Sequence, residues 1–252
     1  MLEMERSIRE RVSVIAALVL VIAVNAAANV VPIAGLQTGE VSAMYASYFT
    51  PAGITFAIWS VIYSGLILYA IYQVFPQRRG EARLATIGRL FSLNCVLNSV
   101  WLFAWHYQYL GISLGLMLCI LATLVMIYRH LGSGADVSLL VRVPFTLYLA
   151  WICVATLANL SALQTALDWN DALLSHEAWT LIKLAFAAAV GAAVCLLRRD
   201  PLFVLVIAWA AYGISVKQAE VPEVYGAAVA VSAIGVMLAA FTLASRPMFR
   251  PR

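Results

Sequence analysis

Long apolar runs are the feature of this sequence that most restricts its fold. A helix needs about 20 predominantly apolar residues to cross the hydrocarbon core of a bilayer, with a range of about 17–25. Eight runs meet this requirement, over residues 12–33, 53–75, 86–108, 110–129, 140–163, 178–197, 201–217 and 223–245. Because the backbone groups of a spanning segment can be satisfied within a helix, we predict an all-α integral membrane protein that forms an eight-helix transmembrane bundle.

Composition excludes most other classes of protein. Apolar residues make up 64% of the chain and charged residues only 11%, against roughly 45–50% and about 25% in an average soluble domain. Nucleic-acid binders, disordered proteins and disulfide-rich secreted domains are excluded on this ground. The four cysteines, Cys95, Cys119, Cys153 and Cys195, lie inside apolar runs without a CxxC pattern. We interpret them as small core residues and expect no disulfide and no metal site.

The basic residues predict the topology. If eight spans return the chain to its starting side, 14 of the 16 Lys and Arg residues fall on one side of the membrane. The positive-inside rule makes that side cytoplasmic. We therefore expect both termini, residues 1–11 and the basic tail 246–252, to be cytoplasmic, and the loops 35–52 and 164–177 to lie outside. The expected location is a bacterial inner (cytoplasmic) membrane.

Polar and aromatic residues recur at helical spacing in four of the first five spans. The stripes are Asn25 and Asn29 in the first span, Phe56, Trp59 and Tyr63 in the second, Asn94, Asn98, Trp101 and Trp105 in the third, and Tyr148, Trp151, Ala155 and Asn159 in the fifth. Such spacing places the members of each stripe on one face of a helix. With the predicted topology, the stripes converge on one outward-opening region.

Two interpretations of these stripes stay open. Intramembrane Asn side chains often only hydrogen-bond to a neighbouring helix, and Trp side chains near the surface are commonly interfacial anchors, which is the interpretation we favour for Trp169 and Trp179. The alternative is the wall of a ligand pocket with a few fixed polar groups. Trp101 lies too deep for the interfacial belt, and two Asn residues in line with two Trp residues suit a pocket wall.

Three motifs on these stripes resemble the tryptophan-rich sensory protein family, also called TspO/MBR or translocator proteins. They are TPAGITFAIWSVIY at residues 50–63, LNSVW at residues 97–101, and the spacing of Tyr148, Trp151, Ala155 and Asn159, which is similar to the family's PYxxWxxFAxxLN. The family's WxPP lid is reduced here to Pro51. The resemblance covers residues 12–163 and implies a five-helix unit there, with three additional helices over residues 178–245.

The resemblance implies a membrane-embedded binding protein that acts as a sensor or regulator, or as a translocator. Its ligand would be planar and apolar: a tetrapyrrole such as a porphyrin, or a sterol-like or carotenoid-like molecule. A bound tetrapyrrole is the one candidate cofactor. Indole and phenol rings suit such a ligand because they offer flat apolar faces with a polar edge.

The expected site combines the stripes with the first outer loop. The ligand-binding residues are Trp59, Tyr63, Asn94, Asn98, Trp101, Trp105, Tyr148, Trp151 and Asn159, under a lid that contains Tyr45, Tyr48 and Pro51. Further candidate contacts are Asn29, His106 and Lys183. A boundary His is more often a solvated helix end, and a lone Lys near the interface most often snorkels to water.

Other functions have weaker support. A secondary transporter usually carries intramembrane charge near the midplane, whereas Lys183 is the only candidate and lies near one end of its span. No span carries a Ser/His/Asp set, a HExxH motif or paired carboxylates, so conventional catalysis is not expected. An accessory subunit of a larger membrane or pigment complex remains an alternative. Such a subunit, or a homodimer, would dock through the Ala- and Gly-rich last three helices, which suit close packing.

Overall fold

The computed structural model describes residues 6–31, 33–45, 47–78, 80–132, 137–169 and 174–245. These ranges form α-helices and no β-sheet. The α-helices are α1 (Ile8–Val30), α2 (Thr38–Met44), α3 (Ile58–Tyr72), α4 (Ala82–His106), α5 (Leu110–Leu131), α6 (Leu139–Ala166), α7 (His176–Arg198), α8 (Pro201–Lys217) and α9 (Pro222–Ala244). Two 3-10 turns, Gly53–Ala57 and Pro76–Arg78, precede α3 and α4.

Most of these helices have the length and composition of membrane spans. Within the described ranges, seven helical runs are long and apolar enough to cross a bilayer: α1, α4, α5, α6, α7, α9 and the continuous run Gly53–Tyr72 that contains α3. The prediction of an all-α integral membrane protein in contact with the lipid bilayer is confirmed. The apolar helix α8 has 17 residues and extends about 26 Å at 1.5 Å per residue, against a hydrocarbon core of about 30 Å. The eighth span and the cytoplasmic termini stay predictions.

Capping residues set several helix starts. The side chains of Ser7, Ser138 and Ser175 each accept a backbone N–H from the first turn of the helix that follows, which satisfies one of the donors that a helix start leaves unpaired. Pro201 and Pro222 occupy the first turns of α8 and α9, where the missing N–H costs nothing. The helix α1 consequently begins one turn before the predicted start at residue 12.

The helices group into two compact units, residues 1–46 with 57–167, and residues 47–56 with 168–252. In the first unit the five long helices form a ring in which α1 packs on α3, α3 on α6, α6 on α5, α5 on α4, and α4 on α1. The short helix α2 packs on α4. Three fully buried rings, of Tyr69, Phe91 and Phe145, meet edge to face inside the ring with centroids 4.9–5.6 Å apart. This geometry is a favourable one for aromatic pairs.

The second unit is built around α8. The helices α7, α8 and α9 all pack on one another, and glycines allow the close approach. A Cβ at Gly191 would lie 3.2 Å from Ile207, and one at Gly235 would lie 2.9 Å from the Cβ of Ala208. The inserted segment, as we call residues 47–56, belongs to this unit although it lies between α2 and α3 in the chain.

Hydrogen bonds from Arg6 and Arg11 hold the start of α1 against the end of α3. Arg6 is buried and donates to the backbone oxygen of Gln73 at 3.1 Å and to its Oε1 at 2.6 Å. Gln73 donates back to the carbonyl of Arg11, and Arg11 donates to the carbonyl of Val74. Cationic donors at the C-terminal end of a helix also complement its dipole. Burial lowers the pKa of Arg6, and the nearby Tyr69 and Glu10 partly oppose this effect.

We expect Arg6→Met to lower the free energy of unfolding by about 1–3 kcal/mol, because it leaves buried carbonyl groups of Gln73 without a donor. The matched control is Arg9→Met, since Arg9 is exposed in the first turn of α1 and surface substitutions usually change stability by less than about 0.5 kcal/mol. Thermal unfolding of both variants in detergent measures the difference. Equal shifts in the two variants would contradict the role of Arg6.

Candidate functional site

Four aromatic side chains from α3 and α6 form the centre of the candidate site. The rings of Trp59 and Tyr63 stack with centroids 5.3 Å apart, and Trp59 also meets Tyr148 at 5.7 Å and Trp151 at 6.4 Å, both edge to face. Tyr148 and Trp151 are buried, whereas Trp59 and Tyr63 are half-buried. We call these four residues the aromatic cluster. Trp59 and Tyr63 are spaced i, i+4 and therefore share one face of α3, while Tyr148 and Trp151 are spaced i, i+3 and share one face of α6. These two faces meet.

A chain of hydrogen bonds crosses the helix ring beside this cluster. The Oδ1 of Asn98 accepts from Asn25 at 3.1 Å, and the Nδ2 of Asn98 donates to the hydroxyl of Tyr148 at 3.0 Å. Since α4 and α6 are not neighbours in the ring, the second bond passes through its interior. The Tyr148 oxygen is the acceptor in this bond, so its own proton remains available. The buried hydroxyl of Tyr63 has no hydrogen-bond partner among the described residues.

Trp101 and Trp105 form a second aromatic pair beneath α2. Their rings stack with centroids 5.9 Å apart. The indole N–H of Trp105 donates to the carbonyl of Thr38 at 3.3 Å, and the hydroxyl of Tyr45 donates to Gln108 at 2.8 Å. Tyr45 and Val41 also pack in the same apolar cluster as Trp105. These contacts hold α2 and Tyr45 over the tryptophan pair.

Asn94 and Asn159 face α5 rather than the aromatic cluster. Asn94 donates to the hydroxyl of Thr123 at 2.7 Å and to the carbonyl of Ile120 at 3.2 Å. Asn159 donates to the hydroxyl of Ser113 at 2.7 Å. Both side chains are buried, and bonds of this kind commonly hold transmembrane helices together. The structure thus brings Asn98 to the aromatic cluster, whereas the other two Asn residues donate to α5 and their Oδ1 atoms have no partner among the described residues.

The remaining candidate contacts lie in other surroundings. Asn29 is exposed and donates to the carbonyl of Asn25 in its own helix. His106 is fully buried instead of solvated, and its ring nitrogens hydrogen-bond to Leu102 and Thr38 at 2.7 and 3.3 Å. Lys183 is buried on α7 in the second unit. In the part of the chain that the structure describes, no three His, Cys, Asp or Glu side chains are grouped as metal ligands.

A cavity of about 280 Å³ lies away from the aromatic cluster, at the end of the first unit where α3 leads into α4. Tyr72, Arg78, Glu81 and Ser138 are among its lining residues. Arg78 forms a 2.8 Å ion pair with Glu81 and lies 4.7 Å above the ring of Tyr72. The hydrogen bond to Glu81 raises the pKa of Arg78. Charged walls of this kind do not suit an apolar ligand, so we base the candidate site on the aromatic cluster.

Comparison with protein families tests the family membership that the three motifs suggest. The family model described as TSPO-like protein matches residues 11–243. The chain belongs to this family. The TspO/MBR resemblance is therefore confirmed, and the matched region runs past residue 163 to include α7, α8 and α9. No curated protein and no solved structure matches the chain.

The expected lid of this TSPO-like protein divides between the two units. Tyr45 belongs to the first unit, whereas Tyr48 and Pro51 belong to the inserted segment of the second. There the ring of Tyr48 meets the ring of His176 edge to face, with centroids 6.0 Å apart. Asn170 and Asp171, in the loop 164–177 that is predicted to be outside, are not among the described residues.

Sequence reasoning missed two features of the site. The helix α2 forms within the region 35–52, which was predicted only as a loop; its signal is the capping box of Gln37 and Glu40. Asn25 was assigned to a stripe but not to the site, although it holds Asn98 in place. A stripe identifies the face of a helix, but it does not identify the partner that the face meets.

We expect Trp105→Phe to loosen α2, because the variant keeps an aromatic ring but loses the N–H that binds the Thr38 carbonyl. Losing one hydrogen bond of about 1 kcal/mol raises amide hydrogen exchange in Thr38–Met44 about fivefold. The control is Trp101→Phe, since the indole N–H of Trp101 has no partner within the described ranges. Hydrogen exchange followed by mass spectrometry compares the two variants. Equal exchange in both would show that this bond does not hold α2.

Proposed function

We propose that the first unit binds a planar, apolar, conjugated ligand of the tetrapyrrole class at the aromatic cluster, and that the protein acts as a sensor or translocator of that ligand. The observation that carries the proposal is the pairing of flat aromatic faces with buried hydroxyl groups. Trp59 and Trp151 offer the faces, while Tyr63 and Tyr148 offer protons that can be donated. Sterol-like and carotenoid-like ligands are the alternatives.

Ligand binding accounts for the polar groups better than packing does. A buried donor without an acceptor costs about 1–3 kcal/mol, and a ligand that brings a hydrogen-bond acceptor removes this cost. Asn98 orients the Tyr148 hydroxyl from the opposite side of the ring. The amide groups of Asn94 and Asn159 and the indole N–H of Trp105 donate to protein groups, so we propose that these three residues support the site. The Oδ1 atoms of Asn94 and Asn159 have no partner among the described residues.

The ligand test compares two asparagines on the same helix. Asn98→Leu should weaken binding of protoporphyrin IX, which has polar substituents, about two- to tenfold more than binding of etioporphyrin, which has alkyl groups instead, because only the former loses a polar partner. Asn94→Leu is the matched control. It should lower stability by about 0.6 kcal/mol, and by no more than about 1.7 kcal/mol, with the affinity ratio unchanged.

Saturable quenching of tryptophan fluorescence measures both affinities, and melting in detergent measures stability. An unchanged affinity ratio in Asn98→Leu, together with a drop in stability like that of Asn94→Leu, would assign Asn98 to packing. Quenching that rises linearly with porphyrin concentration in the parent protein would indicate partitioning into the micelle and would contradict the binding site.

The proposed topology has eight spans, cytoplasmic termini and an outward-facing α2, in a bacterial inner membrane. It is supported by the charge distribution, because 14 of the 16 basic residues then obey the positive-inside rule. The span that most needs a test is α8, since it has only 17 residues. If α7 and α8 both cross the membrane, the residues before α7 and the residues after α8 lie on the same side.

Single cysteines at three exposed positions, Gln77, Asp168 and Glu220, test the topology with a membrane-impermeant maleimide. We expect Asp168→Cys and Glu220→Cys to react in intact cells, and Gln77→Cys only after permeabilisation. Labelling of Gln77→Cys and Asp168→Cys from the same side would overturn the orientation of the first unit. Labelling of Glu220→Cys from the opposite side to Asp168→Cys would show that α8 does not cross.

A second role, docking to another membrane protein or to a second copy of the chain, is favoured by one face of α9. Gly226, Ala230 and Ala233 are spaced i, i+4 and i+7 and are exposed, and small residues allow helices in membranes to approach closely. The experiment is the mass of the detergent-solubilised particle for the parent and for Ala230→Leu. A monomer in both cases, without a copurifying protein, contradicts this role.

A further inference from the structure

We infer that α8 is the platform that holds the inserted segment in place, with Trp209 and Gly213 as its positioning residues, and that this anchorage sets the start of the helix that carries Trp59. The inference assigns a task to the C-terminal helices, which lie beyond the three motifs. The expected effect on ligand affinity rests on the proposed function. The expected effect on the stability of the inserted segment is independent of that function.

The inserted segment is irregular backbone that is partly buried in protein, while Gly53, Ile54 and Phe56 are exposed. Phe49 and Thr55 are each only 1% exposed, and Thr50 and Pro51 are buried as well. Buried backbone polar groups need hydrogen-bond partners in the protein or in ordered water. Part of this need is met locally, since the amides of Phe49 and Thr50 bond to Ser47.

The helix α8 supplies two further hydrogen bonds. The amide of Ala52 donates to the carbonyl of Gly213 at 2.9 Å, and the indole N–H of Trp209 donates to the carbonyl of Thr55 at 2.9 Å. Trp209 and Gly213 are spaced i, i+4 and therefore share one face of α8. The segment thus donates one hydrogen bond to α8, from Ala52, and accepts another, at the carbonyl of Thr55.

Glycine at position 213 is required by the closeness of this contact. A Cβ there would lie 2.9 Å from the Cβ of Thr55 and would overlap its hydroxyl oxygen. Contacts shorter than about 3 Å between such atoms force one of the two backbones to move, and packed interiors resist such movement. The overlap involves the Cβ of Thr55 as well as its hydroxyl, so a change of rotamer alone does not relieve it.

Thr55 connects this anchor to the aromatic cluster through the chain. Residues Gly53–Tyr72 form one continuous helical run, in which Trp59 follows Thr55 by four residues, or about one turn. A displaced Thr55 therefore displaces or frays the start of α3. Because Trp59 contacts the other three rings of the cluster, its position matters to any ligand bound there.

The first test removes one hydrogen bond. Trp209→Phe keeps a ring on α8 but loses the donor to Thr55. We expect amide hydrogen exchange across residues 47–57 to rise about two- to tenfold, and the affinity for protoporphyrin IX to fall by a similar factor. The matched control is Trp179→Phe in the same unit. The indole N–H of Trp179 has no partner in the described part of the chain, so exchange and affinity should both stay at the parent values.

The second test adds a side chain at position 213 and then removes the Thr55 side chain that it would collide with. Gly213→Ala should raise exchange in residues 47–57 about fivefold or more, and adding Thr55→Gly should return it toward the parent value because the colliding atoms are gone. The control is Gly226→Ala on α9, where a Cβ would meet nothing within 4 Å. Rescue by the second substitution separates a specific contact from general destabilisation, since two independent losses would add.

The outcomes separate this inference from the proposed function. Unchanged exchange in both Trp209→Phe and Gly213→Ala would overturn the platform, whatever the ligand. Raised exchange with unchanged affinity for protoporphyrin IX would overturn the positioning role. If the parent protein does not bind the porphyrin at all, the proposed function is wrong, while the exchange measurements still decide whether α8 holds the segment.

Discussion

The structure depends on one constraint: inside a bilayer, each polar group must find its partner within the protein. The five-helix ring meets it with asparagines, two of which bind α5, while Asn98 links α1 to α6 through the ring. The inserted segment pairs two of its backbone groups with α8. Several buried polar atoms have no partner among the described residues, including the hydroxyls of Tyr63 and Tyr69. Of these two, Tyr63 lies in the aromatic cluster, against the face of Trp59. That conjunction supports the aromatic cluster as the proposed ligand site.

The helices and the aromatic faces were predictable from the sequence because they depend on local periodicity. Apolar runs of about 20 residues indicate spans, and the spacing of Trp59 with Tyr63, and of Tyr148 with Trp151, places each pair on one helix face. What periodicity does not contain is the identity of the neighbour. Asn94 and Asn98 lie four residues apart and differ by about 40° in direction, yet one binds α5 and the other binds α1 and α6.

The remaining surprises come from contacts that are distant in sequence. Trp209 and Thr55 are 154 positions apart. No local sequence pattern indicates that residues 47–56 belong to the same compact unit as α7, α8 and α9. Gly213 looks like one more small residue in an apolar helix until Thr55 is placed beside it. His106 similarly looks like a solvated helix end, but the fold of α2 over α4 buries it. In each case the chain's path, rather than the residue's type, decides its surroundings.

The central claim is that the aromatic cluster opens to accept a planar conjugated ligand, and a structure determined with saturating protoporphyrin IX tests it most directly. The account predicts porphyrin density against the faces of Trp59 and Trp151, with the Trp59–Tyr63 stack opened from its 5.3 Å spacing and a hydroxyl of Tyr63 or Tyr148 bonded to the ligand. Porphyrin bound only at the lipid-facing surface of the helices, with the four rings still in contact, would contradict it.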